Sequence, residues 1–197
     1  MNMIEPFKIA IALGLFFLWG GMAPSCSLHP SRQRVPQQNT SGQPDILYHE
    51  ALVLIEAGEY AEAQIKLEQV VASGNASPSV YNEFGVCAMQ TGDHSLSRWS
   101  FEQAMELEPE AVEPHFNLGL LYERLGKLDL AMGLYQEAYQ RSDANILILG
   151  KLAKVQFKLG ARDKNVLGKL REIEKEHPDH RWADWARDAQ VQCLSGM

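Results

Sequence analysis

Four glycines recur along the chain at a constant spacing of 34 residues: Gly58, Gly92, Gly126 and Gly160. A fixed period of this length indicates a repeat architecture, in which each unit is one small supersecondary structure that buries its apolar face against its neighbours. Each glycine is expected to close the first helix of a unit before a tight turn into the second helix. The period therefore predicts a stack of helix–turn–helix units.

Other positions keep the same period when each unit is numbered so that its glycine is position 15. Position 8 is always small: Ala51, Gly85, Gly119 and Ala153. Position 24 is bulky in the first three units (Leu67, Phe101 and Tyr135), and position 27 is Val70, Ala104 and Ala138. Small residues let two helices approach closely, and the bulky residue fills the space between neighbouring units. Pro109, at position 32 of the second unit, is expected to stop a helix.

This pattern resembles the tetratricopeptide repeat family, and units two and three match it best. The resemblance implies an all-α, right-handed α-solenoid that occupies residues 45–194. It comprises four helix–turn–helix repeats, at about 44–77, 78–111, 112–145 and 146–178, and a capping helix at 179–194.

The fourth unit departs from the period after its glycine. Lys169 and Glu172 would otherwise occupy the buried positions 24 and 27, so we predict one additional residue in the turn after Gly160. Val166, Leu170 and Ile173 then take the buried positions of the second helix. In the first unit, which lacks a proline at position 32, Pro78 is expected to end the second helix.

Trp182 and Trp185 follow the last repeat on an amphipathic stretch. We expect this stretch to form a helix that covers the end of the array with both indoles. An alternative interpretation, in which the two tryptophans dock a partner, remains open.

The N-terminal residues 1–25 are typical of a secretory signal peptide. The apolar run from Ile9 to Trp19 is too short for a comfortable membrane span and follows Lys8. Ala23-Pro24-Ser25-Cys26 resembles the lipobox of bacterial lipoproteins, which implies that Cys26 is the lipidated first residue of the mature chain. Ordinary cleavage to a soluble periplasmic protein and an uncleaved inner-membrane anchor are the alternatives.

Residues 26–44 are predicted to form a flexible tether after the lipidated cysteine, because the segment is polar, rich in Pro, Gln and Ser, and almost without apolar side chains. In the lipoprotein family, aspartate directly after the cysteine tends to retain a protein in the inner membrane. Ser27 occupies that place here, so the resemblance favours an outer-membrane lipoprotein that faces the periplasm.

Composition argues against several function classes. The net charge of −7 offers no basic stripe for nucleic acid, so no nucleic-acid partner is expected. We expect no catalytic residues, no metal and no cofactor, because phosphate loops, nucleophile motifs and metal-binding histidine spacings are missing; His177 and His180 flank a turn instead. Cys87 and Cys193 are expected to be buried thiols, too far apart in a solenoid to form a disulfide.

The resemblance implies that the first helices line a concave groove that holds a protein or peptide segment. Carried onto this sequence, the predicted partner-binding residues are Tyr48, Leu52, Asn82, Val86, Met89, Phe116, Leu120, Arg124, Lys154 and Phe157. Arg124, Lys154 and Lys158 would orient an acidic partner segment. The alternatives are that other parts of the chain cover the apolar residues and that the cations are only solvated surface.

The layout of signal, lipidatable cysteine, tether and repeats resembles that of small lipoproteins of bacterial envelope machines. The tight-adherence (Flp-type) pilus lipoprotein and the pilotins of type IV pili are similar in plan. This resemblance implies a non-catalytic, membrane-anchored interaction module that helps to assemble a pilus or secretion complex. The alternative is a scaffold for cell-wall or outer-membrane assembly enzymes that acts through its convex face or loops.

Overall fold

The computed structural model describes residues 42–74, 76–176, 178 and 181–195. These residues form nine α-helices and no strand. In chain order they are α1 (Gln43–Ala57), α2 (Tyr60–Ala72), α3 (Pro78–Thr91), α4 (His94–Leu107), α5 (Val112–Arg124), α6 (Leu128–Arg141), α7 (Ile146–Lys158), α8 (Lys164–Glu176) and α9 (Arg181–Ser195).

The predicted signal peptide, the lipidation site Cys26 and nearly all of the predicted tether lie outside these residues, as do His177 and His180. Within the described ranges, no helix has the length and apolar character needed to span a bilayer.

The helices form an all-α solenoid of the predicted kind. Each helix packs against the next one in the chain, and α3 also contacts α5, the first helix of the following repeat. The buried side chains form several local clusters along the array instead of one central core. This nearest-neighbour packing is what a stack of repeats requires.

The backbone explains the glycine period. Gly58, Gly92, Gly126 and Gly160 all have positive φ, between 71° and 91°. The left-handed conformation ends the first helix of each repeat, and glycine adopts it without the steric cost that a Cβ atom would bring. The four glycines are therefore helix-terminating residues, as predicted.

Two predicted boundaries differ from the structure. The first helix begins at Gln43 and not at Asp45, because Pro44 is well tolerated in a first helical turn. Pro78 does not end α2, which stops at Ala72; instead it is the first residue of α3, whose N-terminus is capped by the Ser77 hydroxyl. A proline with no N–H group to donate suits this first position.

The longer turn in the fourth repeat is confirmed. Helix α7 ends at Lys158, and α8 begins only at Lys164, where the Asp163 carboxylate accepts a hydrogen bond from the backbone N–H of Val166. Val166, Leu170 and Ile173 are all buried.

Candidate protein-binding surface

The predicted groove residues all lie on first helices of the repeats, namely α1, α3, α5 and α7. Most are half-buried: Tyr48, Leu52, Val86, Phe116, Leu120, Lys154 and Phe157. Asn82 and Met89 are only 9% and 5% exposed, whereas Arg124 is exposed. The surface is therefore less open than the sequence suggested, and Met89 offers almost no area to a partner.

Packing between successive repeats accounts for this burial. Met89 belongs to a cluster with Phe101, Leu118 and Leu121. The rings of Phe116 and Tyr135 lie 5.6 Å apart. The chain thus covers part of its own apolar stripe, and the apolar residues that stay half-buried include Leu52, Val86, Phe116 and Leu120.

Polar side chains join the second and third repeats across the same surface. The Asn117 amide donates a hydrogen bond of 2.9 Å to the Asn82 side-chain oxygen. The Arg124 guanidinium donates to the Met89 carbonyl and to the Gln90 side-chain oxygen. Both predicted groove residues, Asn82 and Arg124, therefore also connect neighbouring first helices.

Glu123 is the centre of a charged network between the third and fourth repeats. Its carboxylate accepts hydrogen bonds of 3.0 Å from Lys151, Lys158 and the Tyr135 hydroxyl. Burial alone would raise the pKa of Glu123, but these hydrogen bonds outweigh it and lower the pKa to about 2. Repeat position places Glu123 on the first-helix surface, but no sequence signal indicates this network, because the two lysines lie 28 and 35 residues away in the chain.

The three cations predicted to orient an acidic partner do not act as one group. Lys158 forms an ion pair with Glu123, and Arg124 is bound to groups of the preceding repeat. Only Lys154 lies beside an open cleft, where its ammonium group is 5.8 Å from the centre of the Trp182 ring.

Two clefts of opposite charge lie along the first helices. The first, of about 280 Å³, contacts the N-terminal halves of α3 and α5. Its lining includes Tyr48, Asn82 and three carboxylates, Glu83, Glu108 and Glu113. Burial raises the pKa of the Glu83 carboxyl, although a hydrogen bond from Asn82 opposes this.

The second cleft, of about 340 Å³, lies between α7 and α9. It is lined by Lys151, Lys154, Arg181, Trp182 and Trp185. The cleft at the first helices of the first three repeats is therefore acidic, and the cleft at the first helix of the fourth repeat is cationic and aromatic.

Helix α9 caps the array as predicted, and Trp182 packs against α7. Its indole lies so close to Gly150 that a Cβ atom at that position would be 2.5 Å from the ring. Trp182 is 8% exposed and belongs to the cluster of α7, α8 and α9 side chains. Trp185 remains half-buried and packs edge-on against Phe157 and Trp182.

The two cysteines of the repeat array are buried in different clusters, Cys87 with the first two repeats and Cys193 with the cap. Burial and the nearby Glu83 charge raise the pKa of the Cys87 thiol to about 12. Cys87 is consequently an unreactive apolar side chain at neutral pH.

Comparison with known families matches residues 88–146 to the tetratricopeptide repeat model. This part of the chain is therefore similar to tetratricopeptide repeats. The match covers the last four residues of α3, the whole of α4 to α6 and the first residue of α7. No curated protein sequence matches the chain.

Solved tetratricopeptide structures are similar over most of the array. YrrB, described as a TPR protein with an unusual peptide-binding site, is 19% identical; the match covers 75% of this chain and 76% of YrrB, with a TM-score of 0.64. MamA is 18% identical over 71% and 83% of the two chains, with a TM-score of 0.65. The Sgt2 TPR domain from Aspergillus fumigatus is 20% identical over 60% and 80%, with a TM-score of 0.54. These likenesses establish the fold.

The tetratricopeptide fold suggests a protein–protein interaction module, because its repeats present an extended surface to other chains. Proteins built from such repeats are generally non-catalytic. Nothing in the described residues points to an enzymatic activity.

Proposed function

We propose that this chain is a non-catalytic interaction module that binds an extended or helical segment of a partner protein along the first helices of its repeats. The observation that carries this proposal is the position of Phe116 and Leu120. Both are half-buried apolar side chains on α5, whose N-terminal residues line the acidic cleft, and the next first helix, α7, lines the cationic one. A partner segment would bury their remaining surface, and the charged clefts would fix its direction.

We further propose that the module is held at the bacterial outer membrane by an acylated Cys26 and faces the periplasm. There it would take part in assembling a pilus or secretion complex. The support is the N-terminal sequence: a signal-like apolar run, a lipobox-like Ala23-Pro24-Ser25-Cys26 and a polar segment before α1. The mass of the mature chain tests the anchor, since an unacylated product of ordinary cleavage, or an uncleaved chain, would contradict it.

The binding surface is tested by photo-crosslinking in cells. A photoreactive phenylalanine analogue at Phe116 should give a defined adduct with one partner. The matched control places the same analogue at Glu102, an exposed residue of the second helix α4. The adduct from Phe116 should disappear when Leu120 is changed to Arg, while the helical circular-dichroism signal stays unchanged.

Two results would contradict binding along the first helices. One is an adduct that forms from Glu102 but not from Phe116, which would favour a scaffold acting through its convex face. The other is an adduct from Phe116 that persists in folded Leu120→Arg protein. A Leu52→Arg variant in the first repeat provides a second, independent disruption, because Leu52 is half-buried on α1.

A further inference from the structure

We propose that the cleft between α7 and α9 is the docking site for an acidic segment of the partner protein, with glutamate or aspartate side chains bound by Lys154 and Arg181. This inference rests on the proposed function, because it names the chemistry of the segment that one end of the surface accepts. Hereafter we call this site the α7–α9 cleft; its lining residues are Lys151, Lys154, Arg181, Trp182 and Trp185.

The first argument is the balance of charge within the cleft. Three of its five lining residues are cationic, although the whole chain carries a net charge of −7. Lys151 is paired with Glu123 at 3.0 Å. Among the ion pairs of the described residues, none involves Lys154 or Arg181. Two cations thus remain available for carboxylates brought by another chain.

The second argument is that both cations are positioned by one aromatic ring. The Lys154 ammonium and the Arg181 guanidinium carbon lie 5.8 and 5.9 Å from the centre of the Trp182 ring, within the range of cation–π attraction. That ring is itself fixed against the backbone of α7 at Gly150. Both cations are therefore held near a packed ring before a ligand binds, which reduces the entropy lost on binding.

The third argument is the mixed chemistry of the cleft. Trp185 is half-buried and adds apolar surface beside the cations. A segment with acidic side chains next to an aliphatic or aromatic one can satisfy both kinds of surface. Arginine also binds carboxylates through two parallel hydrogen bonds, which a simple solvated charge would not provide.

The fourth argument concerns the occupant. The opposite cleft is lined by Glu83, Glu108 and Glu113 and repels carboxylates, so an acidic segment is directed to the α7–α9 cleft. The chain cannot supply this segment from residues 27–44, which contain Arg32 and Arg34 but no Asp or Glu. The segment that precedes α1 is thus ruled out as the occupant, and we assign the acidic segment to a partner protein.

The test measures binding of peptides that carry an uncharged fluorophore to the full chain in detergent micelles by fluorescence anisotropy. The first peptide alternates glutamate with serine and leucine, and its ends are acetylated and amidated so that only side-chain carboxylates are present. A second peptide has glutamine in place of each glutamate, and a third has lysine. A single-stranded oligonucleotide of matched charge separates carboxylate recognition from general attraction of anions.

The glutamate peptide should bind, and the glutamine and lysine peptides should bind at least about tenfold more weakly. The double variant Lys154→Glu/Arg181→Glu should weaken binding of the glutamate peptide at least about tenfold as well. The matched control Lys164→Glu/Lys175→Glu makes the same charge change at two exposed lysines of α8 and should stay within about twofold of the parent. If Lys154→Glu/Arg181→Glu lowers the helical circular-dichroism signal, the milder double variant Lys154→Gln/Arg181→Gln is measured in its place.

Three outcomes would overturn the proposal: equal binding of the glutamine peptide, an equal loss in the α8 control, or equal binding of the oligonucleotide. Failure here is distinguishable from failure of the proposed function. If an adduct forms at Phe116 while no acidic peptide binds, the proposed interaction module is supported and acidic docking in the α7–α9 cleft is refuted. If the acidic peptide binds while Phe116 gives no adduct, the first-helix surface is not where the partner segment lies.

Discussion

The two inner repeats and the two outer repeats solve the same packing problem with different residues. In the inner repeats, glycine at position 8 faces an aromatic ring at position 24. A Cβ atom at Gly85 would lie 2.6 Å from Phe101, and one at Gly119 would lie 2.7 Å from Tyr135. In the outer repeats, alanine faces leucine, as in the pairs Ala51–Leu67 and Ala153–Leu170, and all four side chains are fully buried.

The comparison shows that the residues at positions 8 and 24 together fill a similar volume in every repeat, although the residues themselves differ. A large ring requires that the facing helix have no Cβ atom there, and a smaller leucine leaves room for one methyl group. Interiors packed at crystal-like density tolerate such paired changes better than single ones. Position 8 is thus small in every repeat, but how small depends on its partner at position 24.

The contact between the last repeat and the cap also pairs a glycine with an aromatic ring, but at a different position of the repeat. Gly150 faces the Trp182 indole just as Gly85 faces the Phe101 ring. This contact fixes the ring on which Lys154 and Arg181 lie. In the inner repeats, the contact between glycine and an aromatic ring therefore packs two helices together. At the last repeat, the same kind of contact holds the ring that lines the candidate binding cleft.

The largest expected effect comes from removing an inner-repeat ring. Phe101→Ala should lower the free energy of unfolding by about 3–5 kcal/mol, because the ring is fully buried and glycine on the facing helix cannot fill the cavity. Urea denaturation followed by circular dichroism measures the change. Glu102→Ala, at the exposed neighbouring position, is the control and should stay within about 0.5 kcal/mol of the parent. A small loss for Phe101→Ala would mean that the crossing is loosely packed.

The second prediction concerns a hydrogen bond that only one of the two inner repeats has. Tyr135 carries a hydroxyl that donates to Glu123, and Phe101 has none. Glu123→Gln should lower the free energy of unfolding at neutral pH by about 1.5–2 kcal/mol, because it removes charge-assisted hydrogen bonds from two lysines. Glu50→Gln, which removes the exposed pair with Lys66, should cost less than about 0.5 kcal/mol.

The contribution of Glu123 depends on pH in a defined direction. Its pKa is lowered from 4.5 to about 2 in the folded chain, so the unfolded chain binds the proton first as the pH falls. The stabilisation is fully present above about pH 4.5 and is lost as the pH falls towards 2. Denaturation of parent and Glu123→Gln at several pH values should therefore show converging curves at low pH. A difference that stayed constant would assign the loss to packing and not to charge.

Much of the fold could be predicted because its determinants are local and periodic. The helix-ending glycines, the buried positions 8 and 24, and the longer turn after Gly160 all follow from residue size and spacing. Pro78 was misassigned because proline is compatible both with the residues that follow a helix and with the first turn of the next one. The sequence alone does not distinguish these two places.

The candidate site was less predictable because it depends on side-chain partners from different repeats. Spacing placed Met89 on the first-helix surface, but only the packing of Phe101, Leu118 and Leu121 around it shows that it is buried. Likewise, no periodicity indicates that Lys158 is paired with Glu123 while Lys154 faces a cleft. The sequence predicts Trp182 as a capping residue, but its contact with Gly150 joins α9 to α7 and no sequence signal indicates it.

A smaller effect tests whether volume is exchanged between positions 8 and 24. Gly85→Ala alone should destabilise by about 1–2 kcal/mol, because the new methyl group overlaps the Phe101 ring. Phe101→Leu alone should cost about 1–2 kcal/mol through the cavity it leaves. The double variant reproduces the pair found in the outer repeats and should cost at least about 1 kcal/mol less than the sum of the single changes. Additive losses in this double-mutant cycle would refute the volume exchange.

The smallest effect has the opposite sign and concerns a helical glycine that faces no ring. Gly168 lies inside α8, and a methyl group built there meets no atom within 4 Å. Gly168→Ala should therefore stabilise the chain by about 0.5–1 kcal/mol, because alanine is the better helix former and nothing must move to admit it. Gly160→Ala is the contrasting control: it too has open space around it, but its φ of 89° should make alanine destabilising by about 1 kcal/mol. Thermal denaturation of these two variants and of Gly85→Ala then distinguishes three glycines: Gly85 is required by a facing ring, Gly160 by its backbone conformation, and Gly168 by neither.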